Sequence, residues 1–433
     1  MSATSATAVP QPNWRNHLFQ ALQKMGRSLQ LPIAVLPAAG ILNRFGQPDM
    51  FGADGLGWTD VARVMAAAGG ALLNADLGLP LLFCVGVAIG MAKKADGSTA
   101  LAAVVGFLVY RSVLRVFPTP CPTGTKDIGG GCLGPDDTFA EYTFQNPGVF
   151  GGIVMGLLAA WFWQRYHRVK LVDWLGFFNG RRLVPIIMTF VAIAFASLCL
   201  WIWPPIGDGL ESFSDWLVGL SSLGSGIFGV ANRALLVIGL HQFLNVPVWF
   251  QFGSYTKPDG QVVHGDIPMF LAGDPNAGLF LSGFFPIMMF ALPAAALAIT
   301  HCAKPVRRKE VGGLMLSVAL TSFVTGITEP LEYSFLFVAP ALYAVHALLT
   351  GVSMAVTWGL GVHDGFSFSA GLIDYVINWG LATKPWLIIP IGLCFAVVYY
   401  VVFRFAITKF DIPTPGRETD EEIAAMEADN TKA

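Results

Sequence analysis

Apolar stretches recur along almost the whole chain, and polar positions are confined to the segments between them. The clearest apolar runs cover 77–92, 98–117, 148–163, 183–203, 216–231, 278–300, 311–326, 334–349 and 386–408. A helix needs about 20 apolar residues to cross the hydrocarbon core of a bilayer, and several of these runs reach that length. Others, 311–326 among them, are short or interrupted by Gly or Pro. The stretch 28–43 holds Pro32 and Pro37 and reads as a kinked first span beginning near Phe19. The pattern predicts an all-α integral membrane protein with about ten transmembrane helices and one or two re-entrant pieces.

Composition agrees with that class. Apolar residues make up 54% of the chain and charged residues only 12%, about half the usual globular share. A soluble exterior of this size needs more charge, whereas lipid tolerates an apolar one. The net charge of −2 and the lack of a large basic cluster give no sign of a nucleic-acid partner. The six cysteines, Cys84, Cys121, Cys132, Cys199, Cys302 and Cys394, show no CxxC or Cys/His spacing of a metal site. The first fourteen residues are rich in Ser, Thr, Ala and Pro, without the charged lead into an apolar core of a cleavable signal peptide.

Lys and Arg set the expected orientation. They gather at 15–27, at Lys93–Lys94, at 165–182 and at 304–309, which read as cytoplasmic. The segment 118–147 has one Lys against Asp127, Asp136, Asp137 and Glu141, and 204–215 has no Lys or Arg, so both read as external loops. Arg404, Lys409 and Arg417 put the C-terminus inside, giving an even number of spans and two cytoplasmic termini. Cys121 and Cys132 share the external loop; an oxidising exterior permits a disulfide there, but two free thiols fit equally. The expected organisation is a flexible segment 1–18, a five-span half 19–205, a second half 206–410 with irregular, polar-interrupted segments, and an acidic tail 411–433. With seven acids and two bases in its 23 residues, the tail reads as disordered.

Ionisable residues inside membrane segments are costly, and they mark candidate sites. Three places qualify. Arg233, His241 and Asn245 interrupt the apolar stretch 231–245, with His241 and Asn245 one helical turn apart on a shared face. Their side chains suit a sugar's hydroxyls; they also suit a helix end reaching for headgroups. Glu329 stands immediately before Pro330, which disfavours α conformation in the preceding residue. A helix broken at the carboxylate, with Thr328 beside it, is the form in which transporters build midplane sites; an ordinary surface loop is the alternative. Glu332 could simply pair with a neighbouring base. The third place, 361–378, is rich in Gly, Ser and Phe and carries His363, Asp364 and Asp374. It suits either a sugar-ring face or close helix packing. No Walker A, GxSxG or HExxH motif is present, so no ATP, cofactor or metal chemistry is expected.

These residues lie within longer segments that resemble the IIC membrane domain of the bacterial phosphotransferase system, glucose/N-acetylglucosamine class. The segments include ArgSerLeuGlnLeuProIleAlaValLeuProAlaAla at 27–39, AsnArgPheGlyGlnProAsp at 43–49, LeuGlySerGlyIlePheGly at 223–229, GlyLeuHisGln at 239–242, HisGlyAsp at 264–266, ThrGluProLeuGlu at 328–332, GlyPheSerPheSerAlaGly at 365–371 and ThrProGlyArgGlu at 414–418. The combination is most similar to N-acetylglucosamine permeases. The resemblance implies an inner-membrane homodimer whose first five spans form the dimer contact. It also implies an elevator-like sugar-carrying unit with two re-entrant hairpins. It implies transfer of phosphate from a IIB phosphocysteine to the sugar's 6-hydroxyl, IIB being charged through IIA, HPr and enzyme I. In such proteins the residues matching His241 and Glu329 lie at the sugar, and the one matching Arg233 lies nearby. No cysteine here has IIB surroundings, so IIB is expected from another polypeptide. The resulting site set is Arg233, His241, Asn245, Thr328, Glu329 and His363. A glucose permease, or a stand-alone facilitator or proton symporter using Glu329, are the alternatives.

Overall fold

A computed structural model describes residues 34–74, 76–118, 144–257 and 262–417, with isolated residues between 24 and 32 and short strands between 126 and 141. It is built from helices. A turn at Ala34–Val35, between the two expected kink prolines, leads into α1 (Leu36–Phe45), with Pro37 in its first turn, where a missing N–H costs nothing. Next come α2 (Thr59–Leu73), α3 (Gly78–Met91), α4 (Gly97–Arg115), α5 (Gly148–Tyr166) and α6 (Leu183–Gly219). Asp96 starts α4 with a capping box: it accepts from the Ser98 amide at 2.9 Å, and Thr99 Oγ1 accepts from the Asp96 amide at 3.2 Å. Three short antiparallel strands, β1 (Lys126–Asp127), β2 (Gly131–Leu133) and β3 (Phe139–Glu141), lie in the segment read as the long external loop. The Cys121–Cys132 question lies outside the described residues.

The second part holds α7 (Ser222–Leu236), α8 (His241–Phe250), a hairpin of β4 (Ser254–Thr256) and β5 (Val262–His264), and α9 (Asp266–Leu271). A π-helical turn at Pro286–Ala291 runs into α10 (Leu292–Cys302). Then follow α11 (Arg308–Thr325), α12 (Glu329–Leu336), α13 (Pro340–Gly359), α14 (Leu372–Ile377) and α15 (Ile388–Lys409).

Among the described residues, four helices are long and apolar enough to cross a membrane: α4, α6 with the turn before it, α13, and α15 with the turn before it. The pair α2–α3, bent by 49°, makes a fifth if it is one span. Side chains such as Trp201 and Phe190 on α6 and Val397 on α15 are exposed, as a lipid-facing surface requires.

Two expectations are corrected. The segment 204–215 is not a loop: α6 runs unbroken for 37 residues, about 55 Å at 1.5 Å per residue, with Pro204 and Pro205 inside it. Prolines disrupt a helix only through the two amides they remove and the local clash, and the flanking residues keep helical geometry. The boundary read at 205/206 therefore falls within a continuous helix, and the apolar run 216–231 is instead broken at Leu220–Ser221 between α6 and α7. The tail is not free from Asp411 onward. Residues 411–417 fold back onto the end of α10: Arg417 donates to the Cys302 carbonyl at 3.1 Å and pairs with Asp411, and the Lys304 amide donates to the Gly416 carbonyl at 2.9 Å. Thr414 is fully buried. Residues 418–433 lie outside the described part.

Packing forms two apolar clusters. One lies wholly within 84–199 and includes Phe107, Tyr110, Met155, Trp163 and Met188. The other is dominated by residues from 217 to 407, such as Phe284, Phe285, Phe335 and Phe403. The AsnArgPheGlyGlnProAsp segment ties early and late chain together. Buried Arg44 donates to the Ile377 carbonyl at 2.8 Å and grips Asp49 through both carboxylate oxygens at 2.7 and 2.6 Å. That guanidinium holds the Asp49 carboxyl, in the loop after α1, below its usual range.

Candidate functional site

Helices α7 and α13 run antiparallel in close contact, and their approach depends on missing side chains. A Cβ on Gly351 would lie 2.4 Å from Val230 and 2.7 Å from the Gly226 carbonyl. This seam brings Tyr343 to Arg233, whose carbonyl accepts from the tyrosine hydroxyl at 2.7 Å. Gly239, at φ +71°, turns the chain after α7 so that α8 starts at His241.

Two polar chains meet on neighbouring residues of α7. The first begins at His241, buried at the start of α8. Its Nε2 lies 3.0 Å from Gln242 Nε2; Asn245 Nδ2 donates to Gln242 Oε1 at 3.4 Å; and Asn232 donates to the Asn245 carboxamide oxygen. The second begins at Arg233, which donates to Glu332 Oε1 at 2.8 Å and to Thr328 Oγ1 at 3.4 Å. His346 Nε2 stands 3.3 Å from the same Glu332 oxygen, and its Nδ1 is 2.8 Å from the Tyr399 hydroxyl. The Arg233 guanidinium also lies 5.1 Å from the Phe284 ring, which meets Trp249 of α8 edge-on at 6.4 Å. Trp249 in turn meets Phe366 at 5.3 Å.

The break before α12 places the carboxylates. Helix α11 ends at Gly326, left-handed at φ +73°, and α12 starts at Glu329 with Pro330 in its first turn. Gly326 abuts the GlyPheSerPheSerAlaGly segment: Ser369 Oγ donates to its carbonyl at 2.9 Å, and a Cβ on Gly371 would come within 2.5 Å of its amide nitrogen. Glu329 is half-buried at the start of α12. Glu332, one turn on, is fully buried in the ion pair.

Among the described residues, several buried polar atoms around these chains have no protein partner: Arg233 Nε, His241 Nδ1, Trp249 Nε1 and Glu332 Oε2. Donors and an acceptor left open beside aromatic rings are what a neutral, hydroxyl-rich ligand completes. Among the described residues, no group of three His, Cys, Asp or Glu side chains is gathered as a metal site.

Of the six site residues read from the sequence, Arg233 and Thr328 are in direct contact, His241 and Asn245 join them through Gln242 and Asn232, and Glu329 lies next to Thr328 in the chain. His363 is elsewhere. It stacks on Trp358 at 4.0 Å and bonds the Pro275 carbonyl at 2.6 Å, beyond the far end of α13, about 22 Å along the axis from Tyr343. Asp364 and Asp374 hold backbone: Asp364 accepts from the Gly365 amide at 2.8 Å and Asp374 from the Ser367 amide at 2.6 Å. Sequence reasoning missed Asn232, Gln242, His346 and Trp249. The buried His and Asn in apolar runs were a signal that could have pointed to His346 and Asn232.

Comparison with known proteins agrees with this architecture. The chain matches the family "Phosphotransferase system, EIIC" over residues 26–351. It is 63% identical over 423 residues to the "PTS system N-acetylglucosamine-specific EIIC component" of Streptomyces coelicolor, covering 98% of this chain and 99% of that one. It is 44% identical to the "PTS system N-acetylglucosamine-specific EIICB component" of Bacillus subtilis, covering 93% of this chain and 80% of the other. The fold resembles the crystal structure of the transporter ChbC, the IIC component of the N,N'-diacetylchitobiose-specific phosphotransferase system. That likeness has a TM-score of 0.58 at 15% identity and covers 91% of this chain and 93% of that one. The helices, the broken segment at Glu329 and the family match together make this chain a member of the EIIC family, the membrane permease component of a sugar phosphotransferase system.

Proposed function

We propose that the chain carries N-acetylglucosamine across the bacterial inner membrane and presents its 6-hydroxyl to a phosphorylated IIB protein. The observation that carries the reading is the buried cluster of Arg233, His241, Asn245 and Thr328 around the Arg233–Glu332 pair, with half-buried Glu329 next to Thr328. The specificity named for the S. coelicolor relative supports the choice of sugar. Because that relative is named as EIIC alone and matches over nearly its full length, it supports a IIB on a separate polypeptide, charged through IIA, HPr and enzyme I.

In this reading Glu329 accepts from a sugar hydroxyl, and His241 orients the 6-hydroxyl toward the cytoplasm. The chain holds no phosphoryl-carrying residue of its own and acts catalytically only as the membrane subunit of the phosphotransferase. The first five spans form the contact of a homodimer, and the later segments, with re-entrant hairpins at Gly326 and around 365–371, move as a sugar-carrying unit. The loops at 93–94 and 165–182 and both termini face the cytoplasm, following the excess of Lys and Arg. Competitive uptake tests the reading. Cells expressing this chain with IIB should take up labelled N-acetylglucosamine with consumption of one phosphate per sugar, and excess unlabelled glucose should compete weakly. Glucose preference would reassign the substrate; uptake without phosphate consumption would make the chain a stand-alone carrier.

A further inference from the structure

A cavity with no lining residue from the Arg233 cluster lies elsewhere in the molecule. Its volume is about 660 Å³, inside the range of about 300–1,000 Å³ typical of small-molecule sites. One wall is made by Asp76, Arg115, Asn146 and Trp203, at or near ends of α3 to α5 and within α6; the other is made by Gln251 and the β4–β5 hairpin. These ends of α3, α4 and α5 are the ones remote from Lys93–Lys94 and Arg165–Arg182. In the orientation proposed above, the cavity opens to the outside.

The lining fits a neutral hydroxylated ring better than an ion. Asp76 is already paired with Arg111 and accepts from Asn146 Nδ2 at 3.0 Å, and the Arg115 guanidinium sits 5.6 Å from the Phe144 ring. Charge of both signs around one cavity leaves little field to concentrate an ion. Trp203 gives it an aromatic wall, braced by Phe150 at 6.0 Å. Gln251 supplies the open position: its Nε2 donates to the Pro147 carbonyl at 2.9 Å, while its buried Oε1 has no partner among the described residues. A ligand hydroxyl is the group that would satisfy that acceptor.

We propose that this cavity is an outward vestibule that binds the sugar before it reaches the Arg233–Glu332 site, with Trp203 against the ring face and Gln251 Oε1 accepting from a hydroxyl. The proposal rests on the reading of the chain as a sugar permease with this face outward.

The test uses the full chain with its IIB and N-acetylglucosamine as the probe. Trp203→Leu and Gln251→Leu should each raise the KM for uptake at least fivefold and change the maximal rate less than twofold. Phosphorylation of sugar supplied from the cytoplasmic side should stay within twofold of wild type. Ser254→Cys, on the vestibule wall, should react with a membrane-impermeant maleimide in intact cells. Uptake KM within twofold of wild type in both variants would overturn the vestibule. So would an equal rise in KM for cytoplasmic sugar, which would place the defect at the central site. Labelling of Ser254→Cys only after lysis would also overturn it, while leaving sugar transport standing. Absence of IIB-dependent uptake in the wild-type chain would remove both the vestibule and the proposed function.

Discussion

Arg233 and Glu332 form a buried ion pair at 2.8 Å, with side chains 5% and 0% exposed, although 99 residues separate them in the chain. Taking two charges out of water costs several kcal/mol per ion, so the pair persists only because Thr328, His346 and Phe284 surround it with polar and ring contacts. Breaking one partner leaves the other charge buried and alone, which typically costs about 3–5 kcal/mol. Glu332→Ala should therefore unfold at clearly lower temperature in detergent. The double variant Arg233→Met with Glu332→Leu should recover most of that loss and still bind sugar weakly. Thermal unfolding and equilibrium sugar binding on the same samples check both halves; full sugar affinity in the double variant would separate the pair from the site.

Glu329→Gln should act on ligand rather than on folding, because this carboxylate is half-buried and carries no ion pair of its own among the described residues. A charge-assisted hydrogen bond to a sugar hydroxyl contributes about 1.5–3 kcal/mol, so affinity should fall about tenfold or more with the thermal midpoint nearly unchanged. Isothermal titration with N-acetylglucosamine measures it, and wild-type affinity would take Glu329 out of the site.

His241→Ala should slow transfer at saturating sugar, since near-attack geometry of the 6-hydroxyl limits productive encounters. Single-turnover transfer from labelled IIB is the measurement. The chain alone should make no sugar phosphate, and an analogue lacking the 6-hydroxyl should bind without being phosphorylated. A wild-type transfer rate for His241→Ala would remove its orienting role.

The α7–α13 seam should be sensitive to side-chain size. Gly351→Val would drive methyl groups into Val230 and the Gly226 carbonyl, and overpacking of this kind costs about 1–3 kcal/mol or more. Gly313→Ala on α11 makes the control: open space surrounds that position, and alanine gains up to about 1 kcal/mol of helix propensity there. Size-exclusion chromatography should show Gly351→Val largely aggregated and Gly313→Ala monodisperse.

Removing residues 419–433 should leave stability and sugar binding intact, because that stretch carries five acids against one base and offers little apolar surface to bury. Arg417→Ala should lower the melting temperature by a few degrees through loss of its bond to Cys302 and its pair with Asp411. Equal melting temperatures for Arg417→Ala and wild type would show that the strap at 411–417 holds nothing.

Features that depend on local chemistry are readable along the chain alone. Apolar runs of spanning length specify a membrane protein whatever their partners, and Pro330 after Glu329 marks a break in the helical path because proline disfavours α conformation in the residue before it. The positions of Arg233, His241, Asn245 and Thr328 in a polar cluster were legible for the same reason: a polar side chain in an apolar segment needs a partner. Which partner it finds is not local. Glu332, read from sequence as an acid able to pair with a neighbouring base, became the partner of Arg233 only because Gly226 and Gly351 let α7 and α13 close on each other. That contact also carried His346 to Glu332. His363, equally polar in sequence, was placed at the opposite end of α13 by the direction of that helix. The docking of Thr414 to Arg417 on α10 was likewise decided by tertiary packing. Helix faces meet through the summed fit of many side chains, and no single stretch of the sequence contains that sum.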